Sequence, residues 1–439
     1  MKKLDILHIS DIHIQKKDCS DIVEIVNRLI EDVLRLQEHK NITFDLICFT
    51  GDLIQRGDKA IEDEKQWDLG LEILVKPLLK ELKLPFSRFI FVPGNHEVDT
   101  KRIDPVIEKG LERGSLEEIN KVIKNFNSSY RERLSYFYEV MEKQGKNITF
   151  GKLGYSYKEQ INELNVGIAC VDSAWRSSGK GVSEKGKLYV SPIQIQELFG
   201  NISDCDIKIC MMHHPIDWLE ECECLEVERE LGKFDVVLRG HVHEEDLKQV
   251  VRNSIKTIYS TAGKLYPLDY LEGHSIDGYN GYSALNIDYQ KGKCNIYIRS
   301  YYGKNRKEFD AGINICSNGE VSFNMFSRGE WQQEFDVIKG IKSFFDNMSE
   351  KYAMIRKIDS QFPKDFMQIL VEPVLNDKSE YVKEKNVNEK EIKIRDIVLS
   401  NDNIFLIGKK EIGKTTILQQ IGLNYINEYE QKGIIPIYI

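Results

Sequence analysis

The stretch Val92-Pro93-Gly94-Asn95-His96-Glu97 follows an apolar run over 88–91, and it decides how the fold is interpreted. A run of aromatic and β-branched residues that ends in Pro-Gly predicts a buried strand that stops in a tight turn. The turn presents Asn95 and His96 side by side. An amide oxygen is a hard metal ligand, and an imidazole titrates near physiological pH. Alone, Gly-Asn-His is most often only a turn, so its weight depends on what the rest of the chain supplies.

The length and charge of the chain limit its class. At 439 residues it exceeds the size at which a single core keeps growing, so two or three domains are expected. The net charge of -9 disfavours broad attraction to nucleic acid or to an anionic membrane. No apolar segment approaches the roughly 20 residues of a membrane span, and the nine cysteines lack a framework spacing. We therefore expect a cytoplasmic protein with reduced cysteines and no membrane partner.

The first part of the chain alternates predicted strands with predicted helices. Apolar runs predict strands over 4–9 and 44–50, and apolar residues at helical spacing predict helices over 20–39 and 60–82. Ser20 or Asp21 is the predicted N-cap of the first helix. This alternation is typical of a layered α/β sheet.

Residues 104–145 are charged and helical in pattern and interrupt this alternation, so we expect a helical insertion that caps the site. Strands are predicted to resume over 166–171, 207–212 and 236–239. Later runs with period-two patterning predict a second, largely antiparallel sheet. These runs cover 255–259, 282–289, 294–302 and 321–326.

A change of pattern near residue 331 predicts a domain boundary. Residues 331–385 are predicted to form a helical linker, with a helix over 335–352 followed by prolines. In the last segment, 386–439, a predicted strand runs into Gly408-Lys409-Lys410-Glu411-Ile412-Gly413-Lys414-Thr415. This octapeptide fits the P-loop pattern, in which backbone amides surround phosphate groups. The predicted nucleotide-binding residues are Gly408, Gly413, Lys414 and Thr415.

Five stretches place ligand-type residues just past the end of a predicted strand. In open sheets the crevice beyond the carboxyl ends of the strands binds ligands, so these stretches are expected to meet. Two metal ions about 3.5–4 Å apart need a bridging carboxylate with mixed oxygen and nitrogen ligands, and this set supplies both. The residues are Asp11, His13, Asp52, Asn95, His96, His213, His214, His241 and His243.

These stretches resemble the five signature motifs of the calcineurin-like metallophosphoesterases in order and spacing across about 1–330. The resemblance implies a four-layer α/β/β/α sandwich that holds two divalent metal ions, Mn, Fe, Zn or Ni. It implies that Asp52 bridges the metals and that His96 protonates the leaving oxygen while water activated by the metals attacks phosphorus. The other implied ligands are Asp11, His13 and His243 for the first metal, and Asn95, His213 and His241 for the second.

Three positions leave alternatives open. The family usually has Asp after the catalytic His, where this chain has Glu97, and a carboxylate one methylene longer would orient His96 with a different geometry. In His213-His214-Pro215 the resemblance favours His213 as the ligand, with His214 as an alternative ligand or a substrate-binding residue. Arg56 resembles the phosphate-contacting Arg of some branches, or is an ordinary exposed loop residue.

The P-loop resembles the opening of a signalling NTPase of the STAND or NACHT type, in which ATP or GTP would bind with Mg²⁺. A complete module needs several further strands and an acidic residue at the end of a second one. Residues after 415 supply one further strand, so we expect an incomplete module that is catalytically silent in this chain. We accordingly expect an amino-terminal portion of a longer protein, which would form a homo-oligomer through its missing carboxyl-terminal regions.

The sequence predicts a dinuclear metal-dependent phosphodiesterase or nuclease that acts on DNA, RNA or nucleotides, as the effector domain of a nucleotide-regulated signalling or defence protein. A phosphomonoesterase or protein phosphatase is the alternative enzyme, and a non-catalytic scaffold of the same fold is the alternative from another class. Intact ligand motifs disfavour the scaffold, because a scaffold has no physical need for clustered His and Asp. Five cations in or beside the insertion would form a cationic rim, or would simply be solvated: Lys101, Arg102, Arg113, Arg131 and Arg133.

Overall fold

Two compact units divide the chain in the computed structural model, Met1–Gly329 and Glu330–Ile439. In the first unit the described residues are 2–55, 63–112, 115–125, 128–143, 145, 147–179, 181–241, 247–252, 255–266, 280–303 and 306–325. In the second unit they are the short segments 354–355, 364–365, 375–377, 390–394, 397, 406–407, 409, 414, 416–418 and 420–421.

The strands and helices of the first unit alternate along much of the chain. The strands are β1 (Lys3–Ile9), β2 (Leu46–Phe49), β3 (Phe89–Phe91), β4 (Ile148–Phe150), β5 (Tyr155–Ile161), β6 (Leu164–Cys170), β7 (Ile207–Met211), β8 (Val236–Arg239), β9 (Lys248–Arg252), β10 (Ile255–Thr261), β11 (Gly281–Asp288), β12 (Lys293–Tyr302), β13 (Glu308–Ala311) and β14 (Glu320–Asn324). The helices are α1 (Cys19–Lys40), α2 (Asp63–Gly70), α3 (Lys76–Leu82), α4 (Pro105–Glu112), α5 (Leu116–Lys124), α6 (Ser135–Glu142), α7 (Pro192–Ile202) and α8 (Glu221–Leu231). A π-helical stretch, Leu71–Val75, joins α2 to α3.

The first sheet joins strands from both ends of the first unit. Its order is β13-β12-β11-β1-β2-β3, with β14 also paired to β12. β1, β2 and β3 run parallel, whereas β11 pairs antiparallel with β1, so that Ile6 lies opposite Leu285. The second sheet has the order β4-β5-β6-β7-β8-β10-β9, and β6, β7, β8 and β10 run parallel. The fold is mixed α/β with two sheets and helices, consistent with the predicted sandwich.

The predicted second, largely antiparallel sheet is wrong. β10 pairs parallel with β8, while β11, β12 and β14 extend the first sheet beside β1. β11 is buried along its whole length because it lies between β1 and β12 in the middle of that sheet. Period-two patterning reports which face of a strand is buried, but it does not specify the strand with which it pairs.

Alternate residues of the second sheet face opposite sides, as the pleat requires. Ile168 and Ile209 belong to the core that also contains the first sheet. Ala169 and Cys210, one position along each strand, belong to a separate core with residues of α7 and α8. The parallel strands therefore have both faces covered, and the carboxyl-terminal loops of the strands are left to build a site.

The predicted insertion is helical in the part of 104–145 that the structure describes, where α4, α5 and α6 lie. Its attachment uses a buried charge network. Arg133 donates to a Glu108 carboxylate oxygen at 2.9 Å and to the Ser177 carbonyl at 3.2 Å. Arg176 donates to the other Glu108 oxygen at 3.3 Å, so one buried carboxylate ties the insertion to the segment after β6.

The possible cationic rim on this insertion is not supported by its described arginines. Arg102 pairs with Asp99 at 3.1 Å, and the Arg131 guanidinium lies 4.6 Å from the centre of the Tyr138 ring. Arg133 is buried in the network just described. Arg113 lies outside the described residues, and Lys101, the remaining member of the predicted rim, is exposed. These guanidinium groups stabilise the insertion through local contacts, and such contacts cannot be predicted from a count of charges.

Two local features differ from the sequence prediction. Helix α1 begins at Cys19, with Asp18 as the N-cap and no side-chain capping bond, so neither Ser20 nor Asp21 caps it. The hairpin of β4 and β5 was not predicted. Its strands have mixed burial rather than a long apolar run, so they gave no strong signal.

The second unit is described only in part. Within 331–385 the described residues form short strands, β15 (Met354–Ile355), β16 (Lys364–Asp365) and β17 (Leu375–Asp377), and β17 pairs antiparallel with β18 (Lys390–Ile392). The described residues of the predicted helical linker are thus extended, because they pair across short ladders. The predicted helix over 335–352 lies outside the described residues. Among the described residues, none of the helices combines the length and the apolar character that a membrane crossing requires.

Candidate metal centre

The loops after β1 and β2 are joined by backbone hydrogen bonds. The amide of Asp11 donates to the Gly51 carbonyl, and the amides of Ile12 and His13 donate to the Asp52 carbonyl, all at 3.0 Å. Asp11, His13 and Asp52 each have positive φ, between 51° and 60°. Left-handed backbone at residues other than glycine costs on the order of 1 kcal/mol each, and it persists only where the surroundings enforce it. Here it turns three ligand-type side chains toward one place.

Glycines beside these loops make room for the site. A Cβ on Gly94 would lie 2.2 Å from Asp52 Oδ1, and a Cβ on Gly51 would lie 2.5 Å from His213 Nδ1. Gly51 also has a φ of 100°, which L side chains rarely adopt. Gly51 and Gly94 are therefore required by the close approach of a functional side chain.

Three ligand-type atoms surround Nε2 of His213, which is fully buried. Its Nε2 lies 3.2 Å from Asn95 Oδ1, 3.0 Å from His241 Nδ1 and 3.3 Å from Asp52 Oδ2. Ligand atoms about 2.0–2.2 Å from one divalent ion are themselves about 3.0–3.5 Å apart, so this donor set fits a metal. His213 Nδ1 donates to the Thr50 carbonyl at 2.6 Å, which leaves Nε2 facing the cluster.

The charges of this cluster favour a cation. Burial by itself would lower the pKa of His213, but the carboxylates of Asp52 and Asp11 raise it to about 9. Burial would likewise raise the pKa of Asp52, but the neighbouring His213 and His96 hold it well below its usual value. Asp52 is therefore ionised. The negative electrostatic potential of the carboxylates, which keeps a proton on His213, also favours the binding of a divalent cation.

A second group of ligand-type atoms adjoins the first. His13 Nε2 lies 3.7 Å from Asp11 Oδ1 and 3.9 Å from Asp52 Oδ2. Asp52 Oδ2 thus faces both groups, as a bridging carboxylate must. His243, the remaining predicted ligand, lies outside the described residues. The structure accordingly brings six of the seven predicted ligands together.

Hydrogen bonds to Ser173 indicate which of His213 and His214 has a ring nitrogen available to bind a metal. The Ser173 Oγ accepts the amide protons of His213 at 3.2 Å and of His214 at 3.0 Å, and it lies 3.0 Å from His214 Nδ1. A hydroxyl has two lone pairs and one proton, so Ser173 donates that proton to Nδ1. His214 then carries its own proton on Nε2, which leaves neither ring nitrogen free to bind a metal.

His214 is close to the cluster without belonging to it. Ring nitrogens of His213, His214 and His241 lie within 4.8 Å of one another, so distance alone would include it, but the Ser173 bond outweighs that proximity. Burial and then the neighbouring His241 and His213 hold the pKa of His214 well below its usual value. His214 is fully buried and is absent from the described residues that line the cleft, so its role as a substrate-binding residue stays a prediction.

Glu97 does not have the role that its position suggested. Its carboxylate accepts from the amides of Asp52 and Leu53 at 2.8 Å and of Gly94 at 2.6 Å. The side chain therefore fixes the loop that carries Asp52, instead of orienting the ring of His96. Burial, followed by the charge of Asp52, raises the pKa of Glu97 to about 7. One carboxylate thus accepts hydrogen bonds from amides on two loops.

His96 lies at the edge of the cleft. Its amide donates to Asp52 Oδ1 at 2.9 Å, and its ring meets the ring of His13 edge-on at 4.6 Å. The side chain is half-buried, so it can contact both the site and solvent. The cleft has a volume of about 230 Å³, and its described lining residues are His13, Asp52, Gln55, Asn95, His96, His241 and Lys264.

The amino-acid sequence matches one known protein family. A sequence model of the calcineurin-like phosphoesterases matches residues 4–245, more than half of the 439-residue chain. The chain belongs to the calcineurin-like phosphoesterase family. Members of this family typically bind two divalent metal ions, and the described His and Asp side chains of the cleft offer candidate ligands.

The individual relatives of the chain are distant. The uncharacterized metallophosphoesterase-like protein YydB of Bacillus subtilis (strain 168) is 23% identical over 252 residues, which cover 55% of this chain and 49% of that protein. The chain thus spans about half the length of the curated relative that it matches. A purple acid phosphatase from yellow lupin (Lupinus luteus) seeds is 11% identical with a TM-score of 0.43, covering 75% of this chain and 55% of that one. GAP50, the anchor in the inner membrane complex of Plasmodium, is 11% identical with a TM-score of 0.40, covering 75% and 90%.

Some of the predicted site residues fall outside the described part of the chain. They are Arg56, His243, Gly408, Gly413 and Thr415. Three residues around the metal centre were missed by sequence reasoning, namely Ser173, Gln55 and Lys264. Asp172-Ser173 follows a predicted strand end and was the signal available for Ser173. Lys264 lies in no ligand motif, so only the folded chain places it at the cleft.

Proposed function

We propose that the protein is a metal-dependent phosphodiesterase whose reaction takes place in the cleft beside His96. The observation that carries this proposal is that ligand atoms of Asp52, Asn95 and His241 lie 3.0–3.3 Å from His213 Nε2. Burying such groups without a bound cation is costly, so a folded chain that gathers them has a use for the ion. Six of the predicted ligands and the predicted general acid share one site.

The donor set assigns the ligands. Asn95, His213 and His241 would hold one divalent ion and Asp11 and His13 the other, with Asp52 shared and His243 as a further candidate outside the described residues. When bound, two such ions acidify a water molecule and neutralise charge that develops on the phosphoryl oxygens. Ligands of mixed nitrogen and oxygen type accept Mn, Fe, Zn or Ni.

The protein's own groups supply the remaining chemistry. His96 lies at the cleft edge, with its backbone held by Asp52, so its imidazole is positioned to protonate the leaving oxygen. Glu97 and Ser173 contact no substrate in this mechanism. They hold Asp52 and His213 in place through backbone amides, which preorganises the charge around phosphorus.

A diester substrate is proposed over a monoester because the stretches 10–13 and 92–96 resemble the cyclic-nucleotide and nuclease branches of the family. Among the described lining residues of the cleft, Lys264 is the single Lys or Arg. Two bound divalent ions would add positive charge beside it, so the protein's cations alone do not separate the two substrate classes. A phosphomonoesterase or protein phosphatase activity is the competing proposal, and the assay below separates the two.

Among diesters, nucleotides and other small molecules are favoured over DNA or RNA. Binding to a nucleic acid backbone needs several cations that neutralise phosphates, and Arg102, Arg131 and Arg133 are engaged in contacts within the protein. The net charge of -9 also disfavours binding to a nucleic acid backbone. We keep nucleic acid as the alternative diester.

An activity panel on the Mn²⁺-loaded protein tests the proposal. It compares bis(p-nitrophenyl) phosphate, p-nitrophenyl phosphate, cyclic nucleotides, single-stranded and duplex DNA, and RNA, with His96→Ala as the matched inactive control. We expect faster turnover of the aryl diester than of the aryl monoester. A monoester preference on these matched substrates would overturn the diesterase assignment, and no hydrolysis of any substrate would leave only the non-catalytic scaffold.

We propose separately that residues 408–415 bind the phosphates of ATP or GTP. Lys414 and the described residues that follow it, 416–418 and 420–421, are helical, which supports a helix after the loop. Lys414 Nζ donates to the Lys409 carbonyl at 2.6 Å. Calorimetric titration with each nucleotide and Mg²⁺ tests binding, which Lys414→Ala should abolish without changing diester hydrolysis. A role as effector of a nucleotide-regulated signalling or defence protein, and oligomerisation, depend on this result.

A cytoplasmic location also stays a proposal. All nine cysteines are free thiols, and five of them are buried among apolar residues. Thiols of this kind suit a reducing compartment. Fractionation of cells that produce the tagged full chain tests the location, and recovery with the membrane or the culture medium would contradict it.

A further inference from the structure

Lys264 is a cleft residue that belongs to none of the ligand motifs. It follows β10 and is half-buried. The other described lining residues carry carboxylate, imidazole or amide groups, so Lys264 supplies the positively charged side chain among them. An ammonium group has three N–H donors and acts as a compact point charge toward phosphate.

The backbone around Lys264 is held on several sides. The amide of Leu265 donates to the carbonyls of Ser10 at 3.2 Å and Asp11 at 3.1 Å, which joins this segment to the loop that carries a predicted metal ligand. The Lys264 carbonyl accepts from the amide of Gly281 at 3.0 Å. Leu265 and Tyr266, which follow, are fully buried. The position of Lys264 relative to Asp11 is therefore set by the fold.

We propose that Lys264 is a positioning residue for the substrate, whose ammonium group binds a non-bridging oxygen of the phosphoryl group. This inference rests on the proposed function and adds a cationic group of the cleft that would orient the phosphoryl oxygens. Binding of this kind acts on the bound substrate and on the transition state alike, so it lowers KM more than it raises kcat.

Substitution at position 264 tests the inference with two readouts. The first is the dissociation constant of inorganic phosphate for the metal-loaded protein, measured by calorimetry. The second is KM and kcat for bis(p-nitrophenyl) phosphate. Lys264→Met keeps the apolar stem and removes the charge, whereas Lys264→Arg keeps the charge. Lys256→Met is the matched control, because Lys256 lies on β10 and is absent from the cleft lining.

For Lys264→Met we expect phosphate binding weaker by about tenfold to a hundredfold, the range for a hydrogen bond to a charged group, with KM raised to a similar extent. We expect kcat to change by less than about threefold, because metals and general acid are untouched. Lys264→Arg should recover most of the loss, and Lys256→Met should behave like the unsubstituted protein. Lys264→Gln serves as a second neutral variant if Lys264→Met does not fold.

The possible failures are distinguishable. Phosphate binding and KM unchanged in folded neutral variants would overturn the role of Lys264. Loss of bound metal in those variants would also overturn it, because the residue would then support the metal centre. If the unsubstituted protein binds phosphate through Lys264 and yet hydrolyses no phosphoester, the positioning role stands and the proposed function fails.

Discussion

Replacing Gly94 by alanine is expected to disable the metal centre through a single methyl group. Gly94 has a φ of -99°, so alanine meets no backbone strain there. The obstacle is the Asp52 carboxylate, because the new Cβ would lie 2.2 Å from Oδ1 and 2.7 Å from the Asp52 amide nitrogen. Both atoms belong to the residue that faces both groups of predicted ligands.

The size of the effect follows from these distances. Contacts of a Cβ below 3.0 Å essentially do not occur, so the carboxylate must withdraw by at least 0.8 Å, the difference between 3.0 and 2.2 Å. A misplacement of about 1 Å in a reacting constellation costs roughly 10²-fold in rate. Overpacking of this kind also destabilises a fold by about 1–3 kcal/mol.

The assay compares Gly94→Ala with Gly200→Ala, a substitution in α7 where the new Cβ meets nothing within 4 Å. Urea unfolding, bound metal by elemental analysis and kcat/KM on bis(p-nitrophenyl) phosphate are measured for both. Gly200→Ala should retain activity and gain up to about 1 kcal/mol, since glycine disfavours a helix. A Gly94→Ala protein that binds two metal equivalents and turns over at the normal rate would refute the packing of Gly94 against Asp52.

Other perturbations separate the roles of individual residues. His96→Ala should keep both metals and lose about 10²–10⁴-fold in turnover, with a smaller loss on nitrophenyl esters, whose leaving group needs little protonation; an emptied metal site would contradict its role. Asp52→Ala should lose metal as well as activity, and two metal equivalents by elemental analysis would show that it does not bridge. Burial lowers the pKa of His8 to about 3, so between pH 6.5 and 3 the unfolded chain alone binds this proton. As the pH falls through this range, the free energy of unfolding should therefore decrease, by up to about 1.4 kcal/mol per pH unit more than it does in His8→Gln. Urea unfolding measures it for both proteins, and an equal dependence on pH would contradict the low pKa of His8.

Local signals in the sequence were sufficient for much of the fold and the site. Apolar runs that are followed by Asp, Asn or His predicted the strands β1, β2, β3, β7 and β8 and the ligand-type residues after them. The carboxyl ends of parallel strands share one edge of a sheet, so ligands placed after each strand meet without any further information. The helical period of 104–145 likewise predicted the helical insertion, because that period is a local property of the sequence.

Tertiary structure alone decided the contacts between distant segments. Periodicity could not show that β11 lies between β1 and β12, because it records the buried face and not the partner. Glu97 was expected beside His96, and it binds amides 43–45 positions earlier in the chain. Ser173 distinguishes His213 from His214 across 40 positions, and Lys264 reaches the cleft because Leu265 bonds to Ser10 and Asp11. Hydrogen bonds of this kind depend on which backbone amides folding brings together, so residue type and spacing do not specify them.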